Sequence, residues 1–325
     1  MKLTLTQREF LINFKRSKFT KPVLQEPMDL VIEKIRETYH ENDFDRLMDF
    51  VKCQNLIIGL GKAERFKDGD RVVEIAKKTL ATLSGEPRQM GNIFLYPSFA
   101  YYAKKQHKYL TARKYINLTI ESDDALTAKY PVLHLHKLQH VINLNQIFLA
   151  TNDHQKCADL MVSISKYFYS FDLDAQYGVG GKRFFEALHP HYNLEDATKN
   201  FMNEYFTCVW RNPEIIDFVL DNENLWSLLL KNPPPDAYTY ALKELWLIQK
   251  SFRNAVDYER IYHFFDKHDF YIFDPLKLLI LKEIYNSVSN EDDRALVLRG
   301  IKKLNFKHPE ILIEHIDDKK NILNE

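Results

Sequence analysis

Short turns in which an aromatic residue is followed three positions later by alanine constrain this chain more than any other feature. Gln106-His107-Lys108-Tyr109-Leu110-Thr111-Ala112-Arg113-Lys114-Tyr115 is echoed by Gln249-Lys250-Ser251-Phe252-Arg253-Asn254-Ala255-Val256-Asp257-Tyr258. An apolar-patterned helix precedes each polar turn, and the small alanine is expected to begin the next helix. A chain that does this repeatedly makes antiparallel helical hairpins, and stacked hairpins make a solenoid. With only 9 glycines and 12 prolines in 325 residues, the sequence suits helices better than a turn-rich β fold.

The apolar spacing supports helices along most of the chain. Met28, Val31, Ile32, Ile35 and Tyr39 share one face after Pro27, and Phe44, Leu47, Met48 and Val51 restart the same period beyond a turn at His40–Asp43. Gly59-Leu60-Gly61 reads as a helix end, Asp68-Gly69-Asp70 as a turn, and Ser84–Pro87 as a stop. Residues 93–122 form the best hairpin, with Tyr96, Phe99, Ala100 and Ala103 facing Ala112, Ile116 and Thr119. Pro131–Ala150 is expected to be one long helix, returning after Thr151–His154 through Ala158, Met161 and Phe168. Three of the glycines fall at Gly178, Gly180 and Gly181, ahead of His189-Pro190-His191, and mark a connection. The organisation expected is an extension at 1–26, a first helical array at 27–171, the connection at 172–193, and a second array at 194–325.

The hairpin at 93–122 resembles a tetratricopeptide (TPR) unit. With Ala112 placed at that family's small position in the second helix, Tyr96, Phe99, Ala100 and Ala103 take its large, large, small and inward positions, and Ile116 the next inward slot. The family's usual proline is missing, Asp124 standing near its place. The next comparable alanine is Ala158, a longer spacing than the TPR period of roughly 34. The resemblance implies an all-α fold, a TPR-like superhelix with a concave groove for peptides or proteins. It fixes no partner and no functional residue.

Composition narrows the function classes. Formal net charge is zero, so nucleic acid would have to be held by a local patch. Three widely spaced cysteines favour neither a disulfide framework nor a Cys-rich zinc site. Residues Met1–Lys21 have no apolar signal core, and no long apolar run suggests a membrane span, so a cytoplasmic location is the expectation.

Three constellations hint at chemistry. His136 and His140, four apart on one helix, could face a metal, but Lys137 stands where a metalloprotease motif has Glu, and His134 lies on another face. Surface or groove histidines are the simpler reading, and no metal or cofactor is expected. Gly178–Arg183 is not a Walker loop, and it and His189 and His191 suggest an enzyme site near 178–191 only as a remote alternative. Residues 101–115 interleave Lys104, Lys105, Lys108, Arg113 and Lys114 with Tyr101, Tyr102, Tyr109 and Tyr115, a pattern that can pair with phosphates and stack on bases. Lys15, Arg16, Lys18 and Lys21, with Phe14 and Phe19, form a weaker cluster of the same kind. The leading expectation is a non-catalytic scaffold or adaptor binding a peptide or protein. Tyr102, Lys105, Arg113, His136, His140 and Asn145 are expected to line its groove. RNA or single-stranded nucleic-acid binding through 101–115 is the alternative.

Overall fold

The computed structural model describes residues 2–18, 27–170, 194–231, 234 and 237–304, and among them the chain is all-helical. Two compact units emerge. One comprises residues 24–204 and 211–228; the other comprises residues 1–23, 205–210 and 229–325. The expected connection at 172–193 lies outside the described residues. No described helix is long and apolar enough to cross a membrane.

The larger unit is built on a turn that occurs three times. Helix α3 (Glu41–Lys62) meets α4 (Phe66–Ala81), α5 (Gly85–Lys105) meets α6 (Tyr109–Thr127), and α7 (Leu133–Ala150) meets α8 (His154–Ser170). Each pair is joined by three residues, and the middle one is left-handed: Glu64 at φ 55°, His107 at 59° and Asn152 at 54°. The same hydrogen bonds recur around them. Arg65 N–H donates to the Leu60 carbonyl, Lys108 N–H to Ala103, and Asp153 N–H to Phe148. This six-to-one closure satisfies carbonyls that a helix end leaves open. Glu64 and His107 are separated by 43 residues, and His107 and Asn152 by 45.

A small buried residue sits four places after the last turn residue in each hairpin: Gly69, Ala112 and Cys157. Each donates its N–H to that turn residue, Arg65, Lys108 or Asp153. Gly69 shows why small size is needed, because an added Cβ would lie 2.5 Å from the Tyr102 hydroxyl oxygen. Cys157, rather than the expected Ala158, is therefore the counterpart of Ala112. Asp68–Asp70 lies within α4 and is not a turn, and Gly85–Pro87 opens α5. Helix α5 packs against α3 and α6, and α6 against α7. Their shared core includes Phe50, Phe94 and Phe99. Helix α2 (Pro27–Thr38) packs on α3 and α7. Around the start of α5, Tyr39 and Tyr130 donate hydrogen bonds of 2.6 and 2.8 Å to Glu86, with Lys129 Nζ at 2.7 Å. Partial burial opposes the Glu86 charge, but these three donors hold its carboxyl below the usual range. Helices α9 (Leu194–Arg211), α10 (Ile215–Leu220) and α11 (Glu223–Lys231) follow, with α10 against α8.

The smaller unit contains α1 (Leu5–Asn13), α12 (Ala237–Ser251), α13 (Tyr258–Lys267), α14 (Asp274–Ser287) and α15 (Glu291–Ile301). The expected echo of the Ala112 turn fails here. Residues 252–257 form a six-residue turn with no left-handed residue, and Ala255 lies within it instead of starting a helix. Asp257 caps α13 through the Arg260 N–H. Helix α1 is fastened to this unit. Arg8 pairs with Asp293 at 2.6 Å, Phe10 packs on Tyr262 and Phe265, and Lys303 Nζ donates to the Leu11 and Phe14 carbonyls at 3.2 and 3.3 Å. Beyond α1, Lys277 Nζ donates to the buried Ser17 hydroxyl at 2.8 Å. The second basic cluster thus does not form one open surface, since Phe14 packs on Phe265 and Lys18 pairs with Asp269. Lys21 and Phe19 lie outside the described residues.

Two outcomes follow from this packing. Left-handed angles cost an L-residue about 1–2 kcal/mol, and most for a β-branched one. Glu64→Gly is therefore expected to exceed Glu64→Val in stability by about 2 kcal/mol in urea unfolding, the gap reflecting backbone strain. His268 is buried among Phe264, Phe273 and Tyr240, and its Nε2 has no hydrogen-bond partner among the described residues. Burial first, then Lys267 and Lys277, push its pKa down to about 4. The unfolded imidazole takes its proton near the ordinary value, so stability is lost as pH falls from about 6.5 toward 4, by about 2 kcal/mol at pH 5. His268→Phe is expected to remove that component of the pH slope in thermal melts taken between those values.

Candidate functional site

Within the larger unit a cleft of about 400 Å³ opens over α4, α5 and α6. Lys77, Leu80 and Ala81 come from α4; Arg88, Tyr96 and Phe99 from α5; Thr111, Lys114, Tyr115 and Leu118 from α6. The helical period explains the set. Residues 77, 80 and 81 share one face of α4, and 111, 114, 115 and 118 share one face of α6. The αL turn holds these faces in register by fixing where α6 starts.

Aromatic rings form the floor. Tyr115 packs on Phe99 at 5.3 Å and on Tyr96 at 5.6 Å between centroids. Phe99 is buried, whereas Tyr96 and Tyr115 are half-buried. Burial raises the Tyr96 hydroxyl pKa, with Arg88 opposing it, so the phenol stays neutral at physiological pH. Lys77 Nζ lies 5.9 Å from the centroids of both Phe99 and Tyr115. Its nearest acid, Glu74, is 3.8 Å away and exposed. Arg88 and Lys114 are exposed and have no ion-pair partner among the described residues. Among the described residues three cations and no carboxylate line this cleft, and Glu86, two residues before Arg88, is already engaged by Lys129. A cleft of about 410 Å³ in the smaller unit differs in kind: Arg260 bridges Glu244 and Asp257 at 3.1 and 3.2 Å, so its charges are largely paired internally.

The six residues expected to line a groove are not brought together. Tyr102 is buried, its hydroxyl bonded to the Phe66 carbonyl and 3.0 Å from Asp70. Asn145 is fully buried, with Nδ2 3.9 Å from Met161 Sδ and Oδ1 unsatisfied among the described residues. Lys105 is exposed, 5.9 Å from the Tyr101 centroid. Arg113 is exposed and lies over Phe148 at 5.4 Å, turned from the cleft that its neighbour Lys114 lines. His136 and His140 are interior. His136 Nδ1 donates to Asp123 at 3.0 Å, and the two Nε2 atoms are 3.0 Å apart, placed for His140 to donate to His136. Burial pushes these rings down to about 4 and about 3, with the His136 neighbour lowering His140 further, and it raises the Asp123 carboxyl. The two imidazoles are therefore neutral members of a buried hydrogen-bond chain that ends on Asp123. His134 turns elsewhere, its Nε2 2.6 Å from the Tyr167 hydroxyl. Among the described residues no three His, Cys, Asp or Glu side chains assemble for a metal ion.

Sequence reasoning named Tyr96, Phe99, Lys114 and Tyr115, but Lys77 and Arg88 were missed. Their signal lay in α4 and in the first turn of α5, where residues 84–87 had read as a stop. Gly178–Arg183, His189 and His191 lie outside the described residues. Comparison with known protein families, curated proteins and solved structures finds no match for this chain.

Proposed function

We propose that this chain is a non-catalytic binding protein that holds a segment of a peptide or protein partner, and that the α4–α6 cleft is where it does so. The observation that carries this reading is the pairing of Lys77, Arg88 and Lys114 with Tyr96, Phe99 and Tyr115 in one cleft whose described lining holds no acid. Rings fixed by mutual packing lose little entropy on binding, and aromatic and arginine side chains in pockets are the usual hot spots. Arg88 and Lys114, exposed at the rim, select an acidic segment and speed its encounter. The interior histidines fit the same reading, since His136 is bonded to Asp123 and His140, and His134 Nε2 to the Tyr167 hydroxyl.

A TPR-like solenoid belongs with this proposal. The three identical turns support a repeated unit, at a spacing longer than the TPR period of roughly 34. Single-stranded nucleic acid is the second reading, favoured by Lys114 and Tyr115 sharing the cleft. Against it, Lys104 donates to Gln146 and Arg113 covers Phe148, so two of the other cations of 101–115 are engaged within the fold. A strand needs cations along a track.

The test uses a random glutamate–tyrosine copolymer as the acidic probe, with binding followed by fluorescence anisotropy. Wild-type binding is expected to weaken as salt rises. The pair Arg88→Glu and Lys114→Glu is expected to weaken it at least about tenfold, while Lys105→Glu changes it less than about twofold. Absence of wild-type binding, or equal losses for all three positions, contradicts the assignment.

A further inference from the structure

We propose that the group this cleft receives is a phosphorylated side chain of a peptide; this rests on the peptide-binding reading above and specifies its ligand. The argument is one of charge number. Lys77 comes from α4, Arg88 from the first turn of α5 and Lys114 from α6, and all three line one volume of about 400 Å³. Glu74 lies 3.8 Å from Lys77, so a lone carboxylate, with its single negative charge, still leaves one of Arg88 and Lys114 unanswered. A phosphate monoester carries about −1.5 to −2 and offers three strong acceptor oxygens. It can therefore take a bidentate contact from the Arg88 guanidinium together with the two ammonium groups.

The floor favours the same ligand. Lys77 stands over Phe99 and Tyr115 at 5.9 Å, with only the exposed Glu74 nearby. A dianion at the mouth draws that ammonium outward and frees ring surface for the stem of the ligand side chain. Nucleic acid presents singly charged phosphates spaced along a strand and so does not bring a dianion to one point, and Arg113 is engaged over Phe148.

The dianion also gives the ligand a pH signature. Its second ionisation lies near pH 6, whereas a carboxylate is already ionised there. Among the described residues no histidine lines the cleft, so a change in affinity across this range is assigned to the ligand.

The experiment uses the full chain and fluorescein-labelled short peptide pools with degenerate flanks. The central residue is phosphotyrosine, phosphoserine, tyrosine, serine or glutamate. A phosphorylated pool is expected to bind at least about tenfold more tightly than its unphosphorylated match at about pH 7.5, with the advantage shrinking toward about pH 5.5. Arg88→Gln with Lys114→Gln is expected to abolish the advantage while circular dichroism and melting temperature stay unchanged. Glutamate and phosphorylated pools binding equally, and losing affinity together in the variant, overturns the phosphate assignment and leaves the peptide reading standing. No binding by any pool, or tighter binding of an oligouridylate lost in the same variant, overturns both.

Discussion

The left-handed residue between paired helices is the constraint on which the larger unit depends. Glu64, His107 and Asn152 each accept an angle that L-residues avoid, and each is followed by the same six-to-one hydrogen bond. The strain is of order 1–2 kcal/mol per turn. It is offset by carbonyls that would otherwise be unsatisfied at a helix end, and by the apolar faces the reversal brings together. A three-residue link leaves no slack, so the starting residue of the second helix, and with it every facing position, is determined.

The cleft is a product of that register. Gly69 in α4 lets Tyr102 of α5 come close enough to bond the Phe66 carbonyl, which locks α4 against α5. Helix α6 then starts at Tyr109, so that Lys114 and Tyr115 fall beside Phe99 and Tyr96. Arg113, one residue away, is rotated onto Phe148 and serves packing instead. Two adjacent cations in one sequence motif thus have different roles, decided by about 100° of helical rotation.

Much of the architecture was legible in the sequence. Apolar spacing places the helices of the larger unit, and the Gln106–Tyr115 turn marks its best hairpin. Its apparent copy at Gln249–Tyr258 misleads because matching residue types do not reproduce matching backbone angles. The small-residue rule is real, but its members are Gly69, Ala112 and Cys157, and a search for alanine alone steps one residue too far. Polar residues on apolar helices were the least legible. Asn145, His136 and His140 read as groove-facing because nothing in a sequence shows which polar groups are answered in the interior; Asp123, on the preceding helix, takes His136. The cleft was half visible, because Lys77 and Arg88 gain meaning only when three helices converge.

Buried polar chemistry and exposed charge therefore divide the larger unit between them. The Asp123–His136–His140 chain gives the interior definition, and the cleft keeps Arg88 and Lys114 without an ion-pair partner among the described residues. The most direct test that this cleft is the binding surface is lysine acetylation footprinting by mass spectrometry, with and without the glutamate–tyrosine copolymer. Protection of Lys77 and Lys114, with Lys52 and Lys105 labelled as before, is the predicted result. Protection of Lys105 while Lys77 and Lys114 remain fully reactive would contradict it.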